Sequence, residues 1–404
     1  VLPSLWLTNS FAFFNLHRIP HPESVGRDAL GAALVSLLLY IGFYFVAQPF
    51  PLPRTVVIYF LTMVTLATLA WRAGYVGLFS LPFLQRRLLV VGAGKAGRAI
   101  VEALHDEANS MYMVVGILDD DEAKHGQNIK NIRVLGGQAD LAAAIRTYDV
   151  SDVVLAISGD LQPRTFQALL DCQSRGMPLI RMSTLYEEIT GRVPLEHLDA
   201  QWLEGPAVSD FNHSIYFATK RLVDIVGALI GLAGVLVALP FIAAAIKLED
   251  GGRVFYRQVR LGRNGRPFTI VKFRTMVPDA EAAGAQWARE NDDRVTRVGR
   301  FLRRTRLDET TQFWNVLSGD MSLVGPRPER PEFFTDLERK MPLFRARLLV
   351  KPGISGWAQV NYGYASTLQD NIRKLQWDLF YVKHMSPWLD TSILLRTIGV
   401  VVRL

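Results

Sequence analysis

Residues 225–246, IVGALIGLAGVLVALPFIAAAI, run for 22 positions without a charged side chain. A helix needs about 20 such residues to cross the hydrocarbon of a bilayer, so the stretch first suggests a membrane span. Its flanks argue otherwise. Lys220 and Arg221 precede it, and Lys247, Arg253 and Arg257 follow. Both ends thus carry the basic residues that stay on the cytosolic side. Pro240 interrupts the run, removing one backbone hydrogen bond and forcing a kink. A helix that enters, bends at Leu239-Pro240 and returns to the same face meets both constraints. The expectation is a re-entrant membrane helix.

The preceding chain is also apolar. Residues 29–48 and 55–71, separated by PFPLPR, read as a transmembrane hairpin, with a buried pair of core helices as the alternative. The start, with Leu5, Trp6, Leu7 and Phe11 to Phe14, reads as the end of another span. Because the sequence opens on Val1, an incomplete N-terminus is expected. Arg72, Arg86 and Arg87 then place the next domain in the cytosol. With 50% hydrophobic and 21% charged residues, the chain is neither disordered nor fibrous. Its 45 Lys and Arg against 38 Asp and Glu leave +7, which suits phosphate in nucleotides, lipid headgroups or nucleic acid. Residues 251–306 alone hold 14 basic against 5 acidic side chains. The plain reading of that run is a solvated or lipid-facing surface. It contains no nucleic-acid module and adjoins a membrane segment, so nucleic acid is not expected as a partner. The single Cys172 excludes a disulfide framework and a thiolate zinc site. Seven histidines show no HxH or HExxH spacing, which argues against a histidine metal cage.

Residues 86–205 alternate strand-like and helical segments. A buried-type strand, Leu88 to Val91, runs into Gly92, Gly94 and Gly97 and then an apolar-periodic helix. A second strand, MVVGILDDD, ends at Asp119, 27 residues after Gly92. VSDVVLAIS, a helix around 163–175 and MPLIRM follow. This alternation predicts a Rossmann-like, doubly wound parallel sheet. The glycines and Asp119 fit a nucleotide or dinucleotide at the helix N-terminus. Equally, the glycines can serve only a tight turn and close helix packing.

The segment FLRRTRLDETTQFWNVLSGDMSLVGPRPE is the most informative for chemistry. Asp308 sits where a helix should begin, followed by Glu309, with Phe313, Trp314 and Leu317 on one face. Taken alone, Asp-Glu there is simply a cap. With Arg303, Arg304 and Arg306 directly upstream, an Asp at that position would stay ionised, as a carboxylate nucleophile must. An adjacent Glu could hold Mg2+ bridging to a phosphate. Downstream, Pro326-Arg327-Pro328 fixes a guanidinium between two rigid residues, suited to gripping phosphate bidentately, or else forms a stiff loop with a solvated Arg.

VFYRQVRLGRNGRPFTIVKFRTM (254–276), RFLRRTRLDETTQFWNVLSGDMSLVGPRPE (300–329) and KPGISGWAQV (351–360) resemble the bacterial sugar transferases, the large monotopic-type phosphoglycosyl transferases. The resemblance covers about residues 216–404. It implies transfer of hexose-1-phosphate from a UDP-hexose to polyprenyl (undecaprenyl) phosphate, releasing UMP, in the first membrane step of exopolysaccharide, capsule or O-antigen synthesis. On that resemblance Asp308 is the nucleophile that forms a phosphosugar-aspartyl intermediate, and Glu309 binds Mg2+. Arg303 contacts phosphate, Pro326, Arg327 and Pro328 are linked to the nucleotide, and Lys272 and Arg274 are further phosphate contacts. Asp378 and Tyr381 lie in a matching stretch where a structural role is as plausible as a catalytic one. The family's helix broken at a proline agrees with Pro240. After KPGISGWAQV, Asn361-Tyr362-Gly363-Tyr364 departs from the Gly-Arg that many relatives carry, so the hexose is left unnamed.

The expected architecture is therefore a membrane-associated α/β protein. It has transmembrane helices in 1–85, a Rossmann-like domain in 86–205, a linker and re-entrant helix in 206–250, and an α+β catalytic domain in 251–404. The tail, with Trp388, Leu389, Ile393, Leu394, Ile398 and Val401 at helical spacing, reads as an interfacial helix, with a core helix as the alternative. The bacterial inner membrane is the expected location, with the catalytic domain on its cytosolic face; a homo-oligomer is left open. The competing reading is an NAD(P)-dependent, membrane-linked nucleotide-sugar oxidoreductase or dehydratase that uses the glycine loop and the Tyr216–Lys220 pair.

Overall fold

Four consecutive apolar residues, Leu88 to Val91, suit a strand covered on both faces. In the computed structural model they belong to β1 (Arg86–Val91), inside a six-stranded sheet of order β3-β4-β2-β1-β5-β6. The structure describes residues 85–106, 111–157, 163–198, 211–278, 280, 292–362 and 367–402, with scattered helical positions between 59 and 74. Apart from those positions, the expected transmembrane hairpin and the apolar start lie outside the described residues. The chain divides into two compact units, before and after Asp199/Ala200.

In the first unit, β1 is followed by α1 (Lys95–Asp106), β2 (Tyr112–Leu118), β3 (Asn128–Ile129), β4 (Ile132–Gly136) and α2 (Leu141–Tyr148). Then come β5 (Asp152–Leu155), α3 (Pro163–Ser174), β6 (Leu179–Arg181) and α4 (Met182–Thr190). Every pairing is parallel except the β3–β4 edge. Side chains alternate across a strand, so β1 feeds two cores. Leu88 and Val90 pack with Ile100 of α1 and Leu185 of α4. Leu89 and Val91 pack with Leu141 of α2 and Leu169 of α3. The expected doubly wound arrangement is what forms.

The second unit opens with a 40-residue helix, α5 (Phe211–Asp250), about 60 Å long at 1.5 Å per residue. It is long and apolar enough to cross a membrane, with a mean hydropathy of 2.6 in its most apolar window. Pro240 lies inside this helix, and every residue from 211 to 250 remains helical. Helical structure thus continues through Leu239-Pro240: proline costs one i→i−4 bond, but the turns on either side keep theirs. Gly227 and Gly231 lie one above the other on α5. A Cβ at either would fall within 2.6 Å of Leu323 or 2.4 Å of Phe313, so the missing side chains let the helix pack closely on the rest of the unit.

After α5 come an antiparallel hairpin, β7 (Phe255–Leu261) and β8 (Pro267–Phe273), and α6 (Arg297–Arg304). A 3₁₀ segment (Leu307–Gln312) leads into α7 (Phe313–Ser318), β9 (Ser322–Val324) and α8 (Pro331–Lys340). β10 (Gly353–Ser355) pairs in parallel with β9, and α9 (Trp357–Asn361), α10 (Leu368–Lys383) and α11 (Pro387–Val402) complete the unit. The tail helix α11 is of mixed character. Ile393 is fully buried against Val324 and Tyr381, whereas Trp388 is exposed.

Candidate active site

The 3₁₀ segment and α7 are fastened to β8 by side chains that reach its carbonyls. Thr311 Oγ1 donates to Val271 O at 2.6 Å and Asn315 Nδ2 to Thr269 O at 2.8 Å. This lacing brings Glu309 beside Lys272, whose Nζ donates to Glu309 Oε1 at 2.6 Å. From the opposite side Arg327 forks onto the same carboxylate, with Nη1 to Oε2 at 3.0 Å and Nη2 to Oε1. The backbone around Arg327 is itself held. Arg347 Nη2 donates to Arg327 O at 2.9 Å, Arg260 Nη1 to Pro328 O at 3.1 Å, and Gly353 N to Pro326 O at 3.0 Å. Beside Arg327 lies a small, shallow recess, lined in part by Leu261, Pro328, Arg347 and Leu348.

Charge balance follows from this arrangement. Burial alone would raise the Glu309 carboxyl, but Arg327 and Lys272 hold it well below the usual carboxylate range. Glu309 likewise keeps Arg327 charged, above its ordinary value. Asp308 differs: burial pushes its carboxyl up and Glu309 adds to this, while Lys272, Arg327 and Arg303 pull it back only in part. No described side chain or backbone group hydrogen-bonds to the Asp308 carboxylate, although the residue is only 8% exposed. One carboxylate is thus clamped by two cations, and its neighbour is left with unengaged, relatively basic oxygens.

The bacterial sugar transferase family matches residues 215–404, and the family described as CoA-binding domain matches residues 10–176. An undecaprenyl-phosphate N-acetylgalactosaminephosphotransferase of Aeromonas hydrophila that uses UDP-N-acetylgalactosamine is 41% identical over 239 residues, 59% of this chain and 56% of the relative. An undecaprenyl-phosphate glucose phosphotransferase of Komagataeibacter xylinus is 30% identical over 78% of this chain and 59% of the relative. A UDP-glucose:undecaprenyl-phosphate glucose-1-phosphate transferase of Caulobacter vibrioides is 41% identical over 44% of this chain, and the match covers 68% of that relative. The chain belongs to the bacterial sugar transferase family. It spans a little over half the length of the first two of these relatives.

Within this sugar transferase chain the expected site residues separate into two groups. Asp308, Glu309, Lys272 and Arg327 come together as described. Arg303 joins them at longer range, its Nε donating to Thr275 Oγ1 at 2.9 Å. Arg274 does not join them. β8 ends at Phe273, and the Arg274 guanidinium turns to Asp250 at the end of α5. Asp308 is not a helix cap either. The left-handed turn at Arg306 (φ 59°) starts the 3₁₀ segment two residues earlier, and α7 begins only at Phe313. Asp378 lies against Arg347 Nε at 2.9 Å and Tyr381 O–H donates to Asp390 Oδ1 at 2.8 Å. The sequence reading missed Arg260, Arg347 and Lys374, which surround the buried Glu329 and support the Arg327 loop. Glu329 itself closes the GPRPE motif, so one signal for that network was in view.

In the first unit, Gly92 (φ 112°) makes the turn, and a Cβ there would lie 2.6 Å from Ala156 O. A Cβ on Gly97 would lie 1.8 Å from Gly92 O, so that glycine serves helix–turn packing; Gly94 has open space. Asp119, which with the glycines was expected to fit a nucleotide or dinucleotide, sits at the end of β2. Its Oδ2 accepts from Ala93 N at 2.6 Å, and its Oδ1 from Asp121 N at 2.9 Å and Lys124 Nζ at 3.1 Å. Both carboxylate oxygens thus accept hydrogen bonds from the loops at this strand end.

The donor set was tested for Mg2+ on its lone pairs. Asp308 is unengaged, and Glu309 Oε2 accepts a single hydrogen bond. No group of three His, Cys, Asp or Glu forms a complete cation cage among the described residues. These residues fit a hard cation that takes its remaining ligands from phosphates and water.

Proposed function

We propose that this chain transfers hexose-1-phosphate from a UDP-hexose to polyprenyl (undecaprenyl) phosphate on the cytosolic face of the bacterial inner membrane. The observation that carries the reading is the unengaged Asp308 carboxylate beside a Glu309 clamped by Lys272 and Arg327. An Asp308 oxygen attacks the β-phosphorus of the UDP-hexose, and the bond to the bridging oxygen breaks, with UMP leaving. A phosphate oxygen of the polyprenyl phosphate then attacks the same phosphorus and releases Asp308, giving a polyprenyl diphosphate-linked hexose. The raised basicity of Asp308 favours the attack. Lys272, Arg327 and Arg303 offset the charge that two anionic substrates bring to an anionic nucleophile. Mg2+ bound by Glu309, with Asp308 beside it, would supply further charge neutralisation at the phosphates. The apolar α5 seats the unit in the bilayer, where the acceptor phosphate lies. The relatives act on glucose and on N-acetylgalactosamine by name, so the sugar is set by experiment.

The oxidoreductase alternative is not favoured. Tyr216 and Lys220 both bond to Asp390 Oδ2, at 2.9 and 2.7 Å, inside the second unit. The test is UMP release from UDP-hexoses supplied singly with undecaprenyl phosphate and Mg2+. Turnover should require the lipid and Mg2+ and vanish in Asp308→Asn. An Asp308→Asn enzyme that still turns over refutes the covalent route.

A further inference from the structure

Gly319 closes α7 with a left-handed backbone (φ 95°) and marks a spot bounded by two cations. A Cβ built there would lie 3.5 Å from Arg221 Nη2 and 3.7 Å from Lys351 Nζ, and the next neighbour is the Arg221 guanidinium carbon. Positive nitrogens from α5 and from the loop before β10 therefore converge on one point that glycine leaves open. The carbonyls at the end of α7 would repel an anion there. Arg221 covers them, donating from Nη1 to Val316 O at 2.7 Å and from Nη2 to Leu317 O at 2.8 Å, and a guanidinium retains further N–H donors.

Lys351 is half-buried and makes no hydrogen bond or ion pair with any described residue. Burial and Arg221 press its ammonium down, Arg263 adds to the repulsion, and Asp224 and Asp320 oppose them. Of these acids, Asp224 is committed to Ser322 Oγ and Leu323 N, and Asp320 is exposed and bonded to Ser318 Oγ. Arg263 stands exposed on the β7–β8 turn. The excess of positive charge is thus unrelieved from within the protein. Arg221 lies four residues before the apolar run at Ile225, the depth at which lipid headgroups meet a seated helix. Gly319 is 11 residues past Asp308, about 18 Å along the 3₁₀ segment and α7, so the place is separate from the clamp at Glu309.

We propose that Arg221 and Lys351 form a second oxyanion site, with Arg263 adding positive charge near it, that takes a phosphate group, either that of an anionic lipid headgroup or free phosphate. This goes beyond the transferase reading and does not depend on it, because the test reads occupancy and not turnover.

The full chain is treated with an amine-acylating reagent, and the rates at Lys351 and at the exposed Lys340 are followed by peptide mass spectrometry. The probes are phosphatidylglycerol vesicles, phosphatidylcholine vesicles, and inorganic phosphate without lipid. The expected result is about fivefold or greater slowing at Lys351 but not at Lys340, and an about fivefold loss of that protection in Arg263→Gln, an exposed change that spares the fold. Slowing by phosphatidylglycerol alone assigns the site to a lipid headgroup. Slowing by inorganic phosphate as well assigns it to phosphate from either source. Equal slowing in phosphatidylcholine, no slowing with any probe, or protection unchanged in Arg263→Gln overturns the proposal.

Discussion

Arg327→Lys isolates what the fork on Glu309 contributes. In the native arrangement two guanidinium N–H groups reach both carboxylate oxygens, and Lys272 holds one of those oxygens from the other side. A lysine keeps the charge but supplies a single point contact from a flexible stem, so one charge-assisted hydrogen bond and the planar alignment are lost. Such a bond is worth about 1.5–3 kcal/mol. A loss of about 2 kcal/mol in transition-state stabilisation corresponds to roughly 30-fold in kcat/KM. Folding should suffer little, because Glu309 remains paired with Lys272 and with the new ammonium. Arg327→Ala goes further, leaving a nearly buried carboxylate with one partner. Breaking a buried pair in that way costs about 3–5 kcal/mol and should lower thermal stability as well as rate. The assay is UMP release at saturating undecaprenyl phosphate and varied UDP-hexose, paired with thermal unfolding in the same detergent. An Arg327→Lys enzyme within about threefold of the parent would show that charge alone suffices and that the fork is incidental.

Two further outcomes concern the frame of each unit. Lys220→Met leaves Asp390 with its two tyrosine hydrogen bonds but no counter-charge, and removes one of the two donors to Val324 O. A loss of about 3 kcal/mol, or about 6–12 °C in Tm, is expected, and adding Asp390→Asn should restore at least half of it. A single variant with unchanged melting would sink this account. In the first unit, burial works to raise Asp119, but the amides of Asp121 and Ala93 and the Lys124 ammonium outweigh it and lower its pKa. A depressed folded-state pKa stabilises above the unfolded value of about 3.9 and is lost as pH falls through the folded value. The Tm gap between the parent and Asp119→Ala should therefore be full near neutral pH and narrow below about pH 4. A gap that widens in acid would reverse the sign.

The clamp was legible because its parts lie in linear motifs: Asp308-Glu309 and Pro326-Arg327-Pro328 stood out by type and spacing and Lys272 by the family resemblance, and the fold brings them together. Arg274 failed for a local reason. Lys272 and Arg274 would share a face only if the strand continued, and it stops at Phe273. For Asp119, periodicity locates a carboxylate at a strand end without saying which way its oxygens turn, and here the Ala93 amide claims one. The network of Arg260, Glu329, Arg347 and Lys374 joins residues up to 114 positions apart, beyond what spacing can reveal. At Pro240 the proline was visible, but whether the helix survives it depends on the turns at either side.

The polar face of α5 explains why a helix so apolar is joined to this site. Lys220 and Asp224 stand one turn apart on that face. Lys220 Nζ donates to Val324 O at 3.0 Å, and Asp224 Oδ1 accepts from Leu323 N at 2.8 Å and Ser322 Oγ at 3.0 Å. Together they bracket β9 from end to end, and β9 leads within three residues into Arg327. Gly227 and Gly231, farther along the helix, let it close on Leu323 and Phe313, the first residue of α7. The element suited to a bilayer thus also fixes the strand that carries the guanidinium and the helix that follows Asp308. On the proposed function, where α5 settles in lipid would set where Glu309 is clamped, and a centre serving a membrane-bound phosphate would be positioned by its own anchor.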